Sequence, residues 1–377
     1  MKVVMVTGSL GEGAGGLSAA VKSWAQALAD DGVEVTIFCL DLTEQFGASS
    51  PLAHERVNTI VVPCVIEPRT RFIFAPKLYS LLRDYCQASR PDVIHAHGVW
   101  LPGTRLAARV SRRLGIPLVV SPHGHLQPWA MSRRSWKKWL AWKVYGKRSL
   151  SQASLIQAAS PLERDALCGL GVRVRTEIIP NIVDFPSEVQ RAVDKPVRKK
   201  TLLFLSRVHP SKGPMDLVEA WHLLRPKGWC VTIAGPDEVG YLSAVRSRIL
   251  EYGLENEIAC VGPVPYQSRW EIYSQASLFV LPTYSENFGI TVAEALSVEV
   301  PVITTMAAPW QLLEAHKCGW WIQNGVPALV DALREALSLD AGQLNLMGKR
   351  GRRLMLESYS ASSISELLQR HYRSIAH

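Results

Sequence analysis

Short apolar runs rich in β-branched residues alternate with longer stretches of helical periodicity along this 377-residue chain. The runs VVMVT (3–7), VEVTIFCL (33–40), TIVVP (59–63), DVIHAH (92–97), PLVVS (117–121), SLIQA (154–158) and TEIIP (176–180) read as strands. Continuous apolar runs separated by helices are the pattern of a parallel sheet buried on both faces. Residues 185–200, FPSEVQRAVDKPVRKK, interrupt the pattern with prolines and charge and read as a linker. The alternation then restarts at TLLFLS (201–206), CVTIAG (230–235), EIACVG (257–262), SLFVLP (277–282) and PVITT (301–305). Two such series predict an α/β protein of two doubly wound, Rossmann-like domains facing across a cleft, over 1–185 and 200–355. A terminal helix at 356–377 is expected to pack back on the first domain. Ligands of such sheets bind outside the carboxyl ends of the strands.

Composition narrows the class. The chain is 47% hydrophobic and 20% charged, enough apolar material for two cores. It contains no apolar run of transmembrane length, and VVMV before the first glycine loop is too short for a signal peptide. Seven dispersed cysteines, without metal-ligand spacing, predict reduced thiols in a cytoplasmic protein. The net charge of +9 is concentrated in the first half, since Val93–Leu162 contains eleven Lys and Arg and no Asp or Glu. That asymmetry implies an anionic partner.

The first strand leads into GSLGEGAGGLS (8–18), where Gly11, Gly13 and Gly16 match the dinucleotide fingerprint. A glycine turn between strand and helix aims backbone N–H groups and the helix dipole at an anion. The spacing from Gly8 to Gly16 is longer than the tight dinucleotide turn, and the expected acidic partner is ambiguous. Nicotinamide binding, an anion or substrate loop and a structural turn all stay open from the motif alone.

The second half carries a more specific constellation. In LPTYSENFGITVAEAL (281–296), Glu286 and Glu294 are separated by seven residues around a strand-to-helix turn. A helix beginning near Phe288 would present the N–H groups of Phe288, Gly289 and Ile290 to a diphosphate. Glu294, further along it, could accept both hydroxyls of a ribose. In SRVHPSKGP (206–214), Arg207 and Lys212 follow the first strand of this half and could neutralise a diphosphate. No Asp-x-Asp pair is present to hold Mg²⁺ or Mn²⁺, so no metal and no resident cofactor are expected.

These segments, together with DVIHAHG (92–98), SPHGHLQPWA (121–130), IIPNIVD (178–184) and APWQLLEAHKCGWWI (308–322), resemble the retaining GT-B glycosyltransferases of family 4. The last segment resembles members that build bacterial surface polysaccharides and lipopolysaccharide O-chains. The resemblance implies an acceptor-binding first domain and a nucleotide-sugar-binding second domain. It implies that Glu286 lies beside the donor sugar and that Asn287, Phe288, Gly289 and Ile290 line the sugar and diphosphate. Glu294 would bind the ribose, Arg207 and Lys212 the phosphates, and Val264 the base. Gly15 and Gly16 would approach the diphosphate or acceptor, and His123 the donor sugar. Two positions depart from the family pattern. Glu299 stands where a glycine is usual, and Ile182 replaces the glycine of an Asn-Gly-Val-Asp turn.

WAMSRRSWKKWLAWKVYGKR (129–148) mixes four tryptophans with seven cations and resembles an interfacial helix. It predicts peripheral attachment to an anionic membrane surface at the inner face of the cytoplasmic membrane. No nucleic-acid recognition motif accompanies the basic charge. The resulting expectation is a metal-independent hexosyltransferase using GDP-mannose or GDP-rhamnose on a lipid-linked glycan. The rivals are an NAD-dependent oxidoreductase and a non-catalytic sugar-nucleotide or membrane-binding protein.

Overall fold

The computed structural model describes residues 1–11, 14–49, 52–67, 73–128, 131, 135–183, 185, 189–190, 193, 200–265 and 268–376, with only the backbone of 135–137. Gly13 of the glycine loop, most of the expected linker, and Trp129, Arg133 and Arg134 of the tryptophan-rich segment lie outside these residues. The chain forms two compact units, Met1–Ile182 with Ala361–His377, and Val183–Ser360.

In the first unit the strands are β1 (Lys2–Thr7), β2 (Glu34–Leu40), β3 (Val57–Val62), β4 (Val65–Ile66), β5 (Ile73–Phe74), β6 (Val93–His97), β7 (Leu118–Ser121), β8 (Leu155–Ala158) and β9 (Thr176–Ile178). All but β4 and β5 form one parallel sheet in the order β3-β2-β1-β6-β7-β8-β9. Period-two alternation splits the strand residues between two apolar layers. Val3, Met5 and Ile37 meet Trp24 and Leu28 on one face, whereas Val4, Val6 and Phe38 meet Leu82 and Ala107 on the other.

The helix Ala361–Arg373 packs against Gly16–Asp30 through Ile364, Leu368 and Tyr372. Ser365 Oγ donates to the carbonyl of Ala27 at 3.3 Å, and Gln369 Nε2 to Asp31 at 3.1 Å. The expected single helix over 356–377 is divided. Residues 356–358 end the helix Ala341–Ser358 of the second unit, and the break falls at Tyr359, whose ring is buried with Phe288 and Trp310.

The second unit has β10 (Thr201–Leu205), β11 (Cys230–Ala234), β12 (Ile258–Gly262), β13 (Leu278–Leu281), β14 (Val302–Thr305) and β15 (Gly319–Ile322). They form a parallel sheet in the order β12-β11-β10-β13-β14-β15. This is the doubly wound order, and its direction of winding reverses between β10 and β13. The corresponding reversal in the first unit lies between β1 and β6. The loops leaving these four strands carry nearly all the chemistry named from the sequence.

Glu299 adopts φ 61°, which explains why a glycine suits that position. Among the described residues no helix is long and apolar enough to cross a membrane. All seven cysteines are free thiols.

Candidate active site

The loop after β10 is folded tightly against the end of β13. Pro210–Lys212 form one 3₁₀ turn, capped by buried His209, whose Nδ1 accepts from the Ser211 N–H at 3.0 Å. Gly213 follows with φ +68°, and a Cβ there would lie 2.1 Å from the Pro282 carbonyl oxygen, so only glycine permits this approach. Thr283 Oγ1 and the Tyr284 N–H both donate to the Ser211 carbonyl, at 2.9 and 2.8 Å. The two loops are thereby tied together at the switch point.

That closure brings Lys212 to Glu286. Lys212 Nζ lies 2.5 Å from Glu286 Oε2 and also donates to the Ser285 carbonyl at 3.2 Å. Both side chains are largely withdrawn from water, at 8% and 18% exposure. The Glu286 N–H is anchored on the Ala307 carbonyl at 3.1 Å, and Glu286 Oε1 accepts from the Asn287 N–H at 3.2 Å. Arg207 is not part of this pair. It is exposed, and its Nη1 lies 2.7 Å from both carboxylate oxygens of Glu238, in the loop after β11.

The helix expected from Phe288 begins at Ile290 and runs to Ser297, with Gly289 as its cap at φ 82°. The later start follows from the turn: Phe288 is drawn into the core against Trp310 and Tyr359, and Trp310 Nε1 donates to its carbonyl at 2.5 Å. The N–H groups of Phe288, Gly289 and Ile290 find no acceptor among the described residues. They form an electropositive end to the helix beside Glu286.

Glu294 lies one turn into this helix and is buried, at 3% exposure. Its carboxylate is not empty-handed. Arg269 Nη1 stands 2.9 Å from Oε1, and the Tyr273 hydroxyl donates to Oε2 at 2.9 Å. Burial and the adjacent carboxylate push the Tyr273 phenol well above its usual range, so it stays a donor. Val264 is half-buried against the core of this unit.

In the first unit the glycine loop leaves β1 at the switch point. Gly15 caps the helix Gly16–Asp30 at φ 69°, and at both Gly15 and Gly16 the space a side chain would take is open. Next to it, at the ends of β6 and β7, four histidines assemble. His95 Nδ1 and Nε2 each lie 2.6 Å from a hydroxyl, of Tyr372 and Ser121 respectively. His97 Nδ1 is 3.1 Å from His123 Nε2. Trp24 stacks on His95 and tilts against His97 and His123. His123 itself has φ 53°. Its turn is held by buried Glu163, which accepts from the Gly124 and Ala159 N–H groups. Burial keeps the cluster neutral, aided by neighbouring histidines at His95 and His123, which are lowered to about 3, and by Lys138 at His125, which is lowered to about 4.

Sequence reasoning did not find Glu238, Arg269, Tyr273, Glu163, His95 or Tyr372. Each acts by pairing with a residue distant in the chain, and no local motif announces such a pair. His209 lies in SRVHPSKGP (206–214), but histidine is not among the preferred cap residues, so nothing local marked it as one. Among the described residues no three His, Cys, Asp or Glu side chains are grouped to hold a metal ion.

Comparison with known proteins fits this arrangement. Residues 15–182 match the glycosyl transferase 4-like domain, and residues 187–354 match glycosyl transferases group 1. The chain is 26% identical, over 97% of its length and 94% of the relative's, to a D-inositol 3-phosphate glycosyltransferase of Arthrobacter sp.. It is also 26% identical, over 90% of its length and 88% of the relative's, to a GDP-mannose:cellobiosyl-diphosphopolyprenol alpha-mannosyltransferase of Xanthomonas campestris. The fold is that of sucrose-phosphate synthase from Thermosynechococcus elongatus, with a TM-score of 0.76, 20% identity, and coverage of 100% of this chain and 99% of that one. The first match takes in Gly15 and Gly16, and the two matches together make the chain a glycosyltransferase rather than an oxidoreductase. The chain therefore belongs to the GT-B glycosyltransferases of the family 4 type, and it is an enzyme that transfers sugar from a nucleotide-sugar donor.

Proposed function

We propose that the protein is a retaining, metal-independent hexosyltransferase that extends a lipid-linked glycan during bacterial polysaccharide or O-antigen assembly. The observation that carries the reading is the Lys212–Glu286 pair beside the open N-terminus of Ile290–Ser297, with Glu294 buried eight residues on. Cation, N–H groups and carboxylates at one switch point supply what a diphosphate, a sugar and a ribose each require.

In this reading Glu286 holds the donor sugar's hydroxyls, and Asn287, Phe288, Gly289 and Ile290 line the sugar and diphosphate. Lys212 leaves Glu286 for the diphosphate, joined by Arg207, and the two cations stabilise the charge on the departing nucleoside diphosphate. Glu294 accepts from the ribose while keeping Arg269 and Tyr273. The backbone of Val264 touches the base. Gly15 and Gly16 serve the diphosphate or acceptor, and His123 the donor sugar. Retention follows a front-face route in which the departing phosphate takes the acceptor proton. No metal is required where Arg207 and Lys212 neutralise the leaving group.

GDP-mannose or GDP-rhamnose is the proposed donor, supported by similarity to the Xanthomonas protein named for GDP-mannose and a diphosphopolyprenol acceptor. Attachment is to an anionic membrane surface at the inner face of the cytoplasmic membrane. The test is thermal unfolding with GDP, UDP, ADP, dTDP, NAD or NADP, each with and without Mg²⁺. A ligand that binds only the folded state raises the midpoint, with a stabilisation that grows as the logarithm of its concentration over Kd. A rise with GDP that Mg²⁺ does not alter is expected. A rise with UDP alone would replace the donor, and a strictly Mg²⁺-dependent rise would overturn the metal-independent route.

A further inference from the structure

The first unit carries a second electropositive site on its helical layer, away from the strand ends. Helix Pro102–Leu114 places Arg105, Arg109 and Arg112 at i, i+4 and i+7, on one face. Arg148, from the helix Lys147–Leu150, joins them around a cavity of about 400 Å³ that Val144 and Tyr145 also line. All four arginines are exposed, and among the described residues none of them forms an ion pair. Nor does the chain offer a local carboxylate, because Val93–Leu162 lacks Asp and Glu. Aromatic rings orient two of the guanidiniums: Arg105 stands 5.9 Å from the Tyr145 ring centre and Arg109 4.6 Å from that of Tyr79. Four like charges around one depression repel one another unless an anion enters it. Arginine's planar donor fork suits a phosphate.

The surroundings select the source of that phosphate. Beside the cavity, Leu140 and Val144 are 56% and 66% exposed, and Trp139 is 49% exposed with Lys143 Nζ 3.8 Å above its ring. Leu140, Val144 and Arg148 succeed one another at four-residue steps along continuous helical backbone. A soluble phosphate compound would engage the arginines and leave these apolar groups in water. A phospholipid surface engages both, with headgroup phosphates at the arginines and the apolar side chains in the acyl boundary.

We propose that Arg105, Arg109, Arg112 and Arg148 form a seat for the phosphates of anionic lipid headgroups, with Leu140 and Val144 inserted beside it. The inference rests on the membrane-surface reading above and names its seat, three of whose arginines lie outside residues 129–148.

The test is flotation of the full chain with phosphatidylcholine vesicles, with and without phosphatidylglycerol. The variant Arg105→Gln/Arg109→Gln/Arg112→Gln/Arg148→Gln is compared with Lys227→Gln/Arg246→Gln/Lys349→Gln/Arg353→Gln, which removes equal charge from the second unit. The first variant is expected to lose more than about tenfold in affinity for phosphatidylglycerol vesicles, and the second less than about threefold. Leu140→Ser/Val144→Ser is expected to weaken vesicle binding and to leave the unfolding midpoint unchanged. Equal losses in the two charge variants would reduce the effect to net charge and overturn the seat. Wild-type affinity in the arginine variant would overturn it too, while leaving the membrane reading standing. No vesicle binding by the wild type would remove both. A rise in unfolding midpoint with inorganic phosphate, abolished in the arginine variant and unaccompanied by vesicle binding, would replace the lipid with a soluble ligand.

Discussion

Lys212 and Glu286, seventy-four positions apart, meet at 2.5 Å because β10 and β13 are neighbours at the switch point and their loops share the Ser211 carbonyl. In the proposed reading, a lysine and a carboxylate that serve different parts of a donor are stored together in this pair.

The first prediction concerns this pair. Lys212→Met leaves a largely buried carboxylate without its cation and is expected to cost about 1–3 kcal/mol of stability. If Glu286 faces the reacting centre as proposed, Glu286→Gln is expected to lower sugar transfer by about 100-fold or more. In the double variant, stability recovers beyond the sum of the single effects while transfer stays lost. Urea midpoints and nucleoside diphosphate release measure the two. Strictly additive stability losses would show that the ion pair contributes no coupling.

Glu294 should respond differently. Arg269→Met removes the cation beside this buried carboxylate, with an expected loss of about 3 kcal/mol or more. Tyr273→Phe removes one hydrogen bond to a charged acceptor and is expected to cost about 1.5–3 kcal/mol. If the carboxylate carries the ribose, Tyr273→Phe raises the donor KM more than it lowers kcat. An unchanged KM with a depressed kcat would move Glu294 away from ribose binding.

Arg207 is held by Glu238 on the surface, and an exposed pair of this kind contributes little stability. Glu238→Gln should therefore shift the unfolding midpoint hardly at all, by less than about 0.5 kcal/mol. Yet, if Arg207 grips the diphosphate as proposed, it removes a carboxylate that competes for the guanidinium. Titration calorimetry with GDP is expected to show tighter binding by several-fold, whereas Arg207→Gln weakens it. Weaker binding in Glu238→Gln would mean that the carboxylate orients Arg207 toward the ligand.

Most of each sheet was legible because buried parallel strands are written as continuous apolar runs, and each run read as a strand overlaps one. β15 was not, since Gly319 opens it and its two tryptophans are only partly buried, so GWWI lacks the β-branched signature. The helix after Glu286 starts late because Phe288 serves the core, which no periodicity over eight residues reveals. The short antiparallel pair β4–β5, two residues on each strand, is below what patterning resolves. In the site, residues on motifs were readable, and their partners were not. Arg269 opens an ordinary helix, and Glu163 looks like any first-turn carboxylate until Gly124 is folded onto it.

Glu299 offers a test of local strain. A non-glycine residue at φ 61° costs about 1–2 kcal/mol, and glycine's extra unfolded-state freedom cancels only part of that. Glu299→Gly should therefore raise stability by up to about 1 kcal/mol. The neighbouring Gly348 should behave oppositely, because a Cβ there would lie 1.8 Å from the Glu299 carbonyl oxygen. Thermal midpoints of Glu299→Gly and Gly348→Ala decide both, and a lower midpoint for Glu299→Gly would show that its side chain contributes more than the strain removes.

The histidine cluster sets a pH dependence with a definite sign. Unfolded histidines titrate near 6.5, whereas burial lowers His95 and His123 to about 3 and His125 to about 4 in the folded chain. His97 moves in the same direction. Between those values the unfolded state binds more protons, so acid favours unfolding. Stability from this source is complete above pH 6.5 and is lost as pH falls toward 4, on the order of 1 kcal/mol per pH unit for each histidine. Other titrating groups contribute to the same profile, so the comparison is between variants. His125→Gln should flatten the dependence of the urea midpoint on pH between 6.5 and 4 relative to wild type. A wild-type slope in His125→Gln would mean that its imidazole is protonated in the folded protein, and the neutral cluster beside the glycine loop would have to be abandoned.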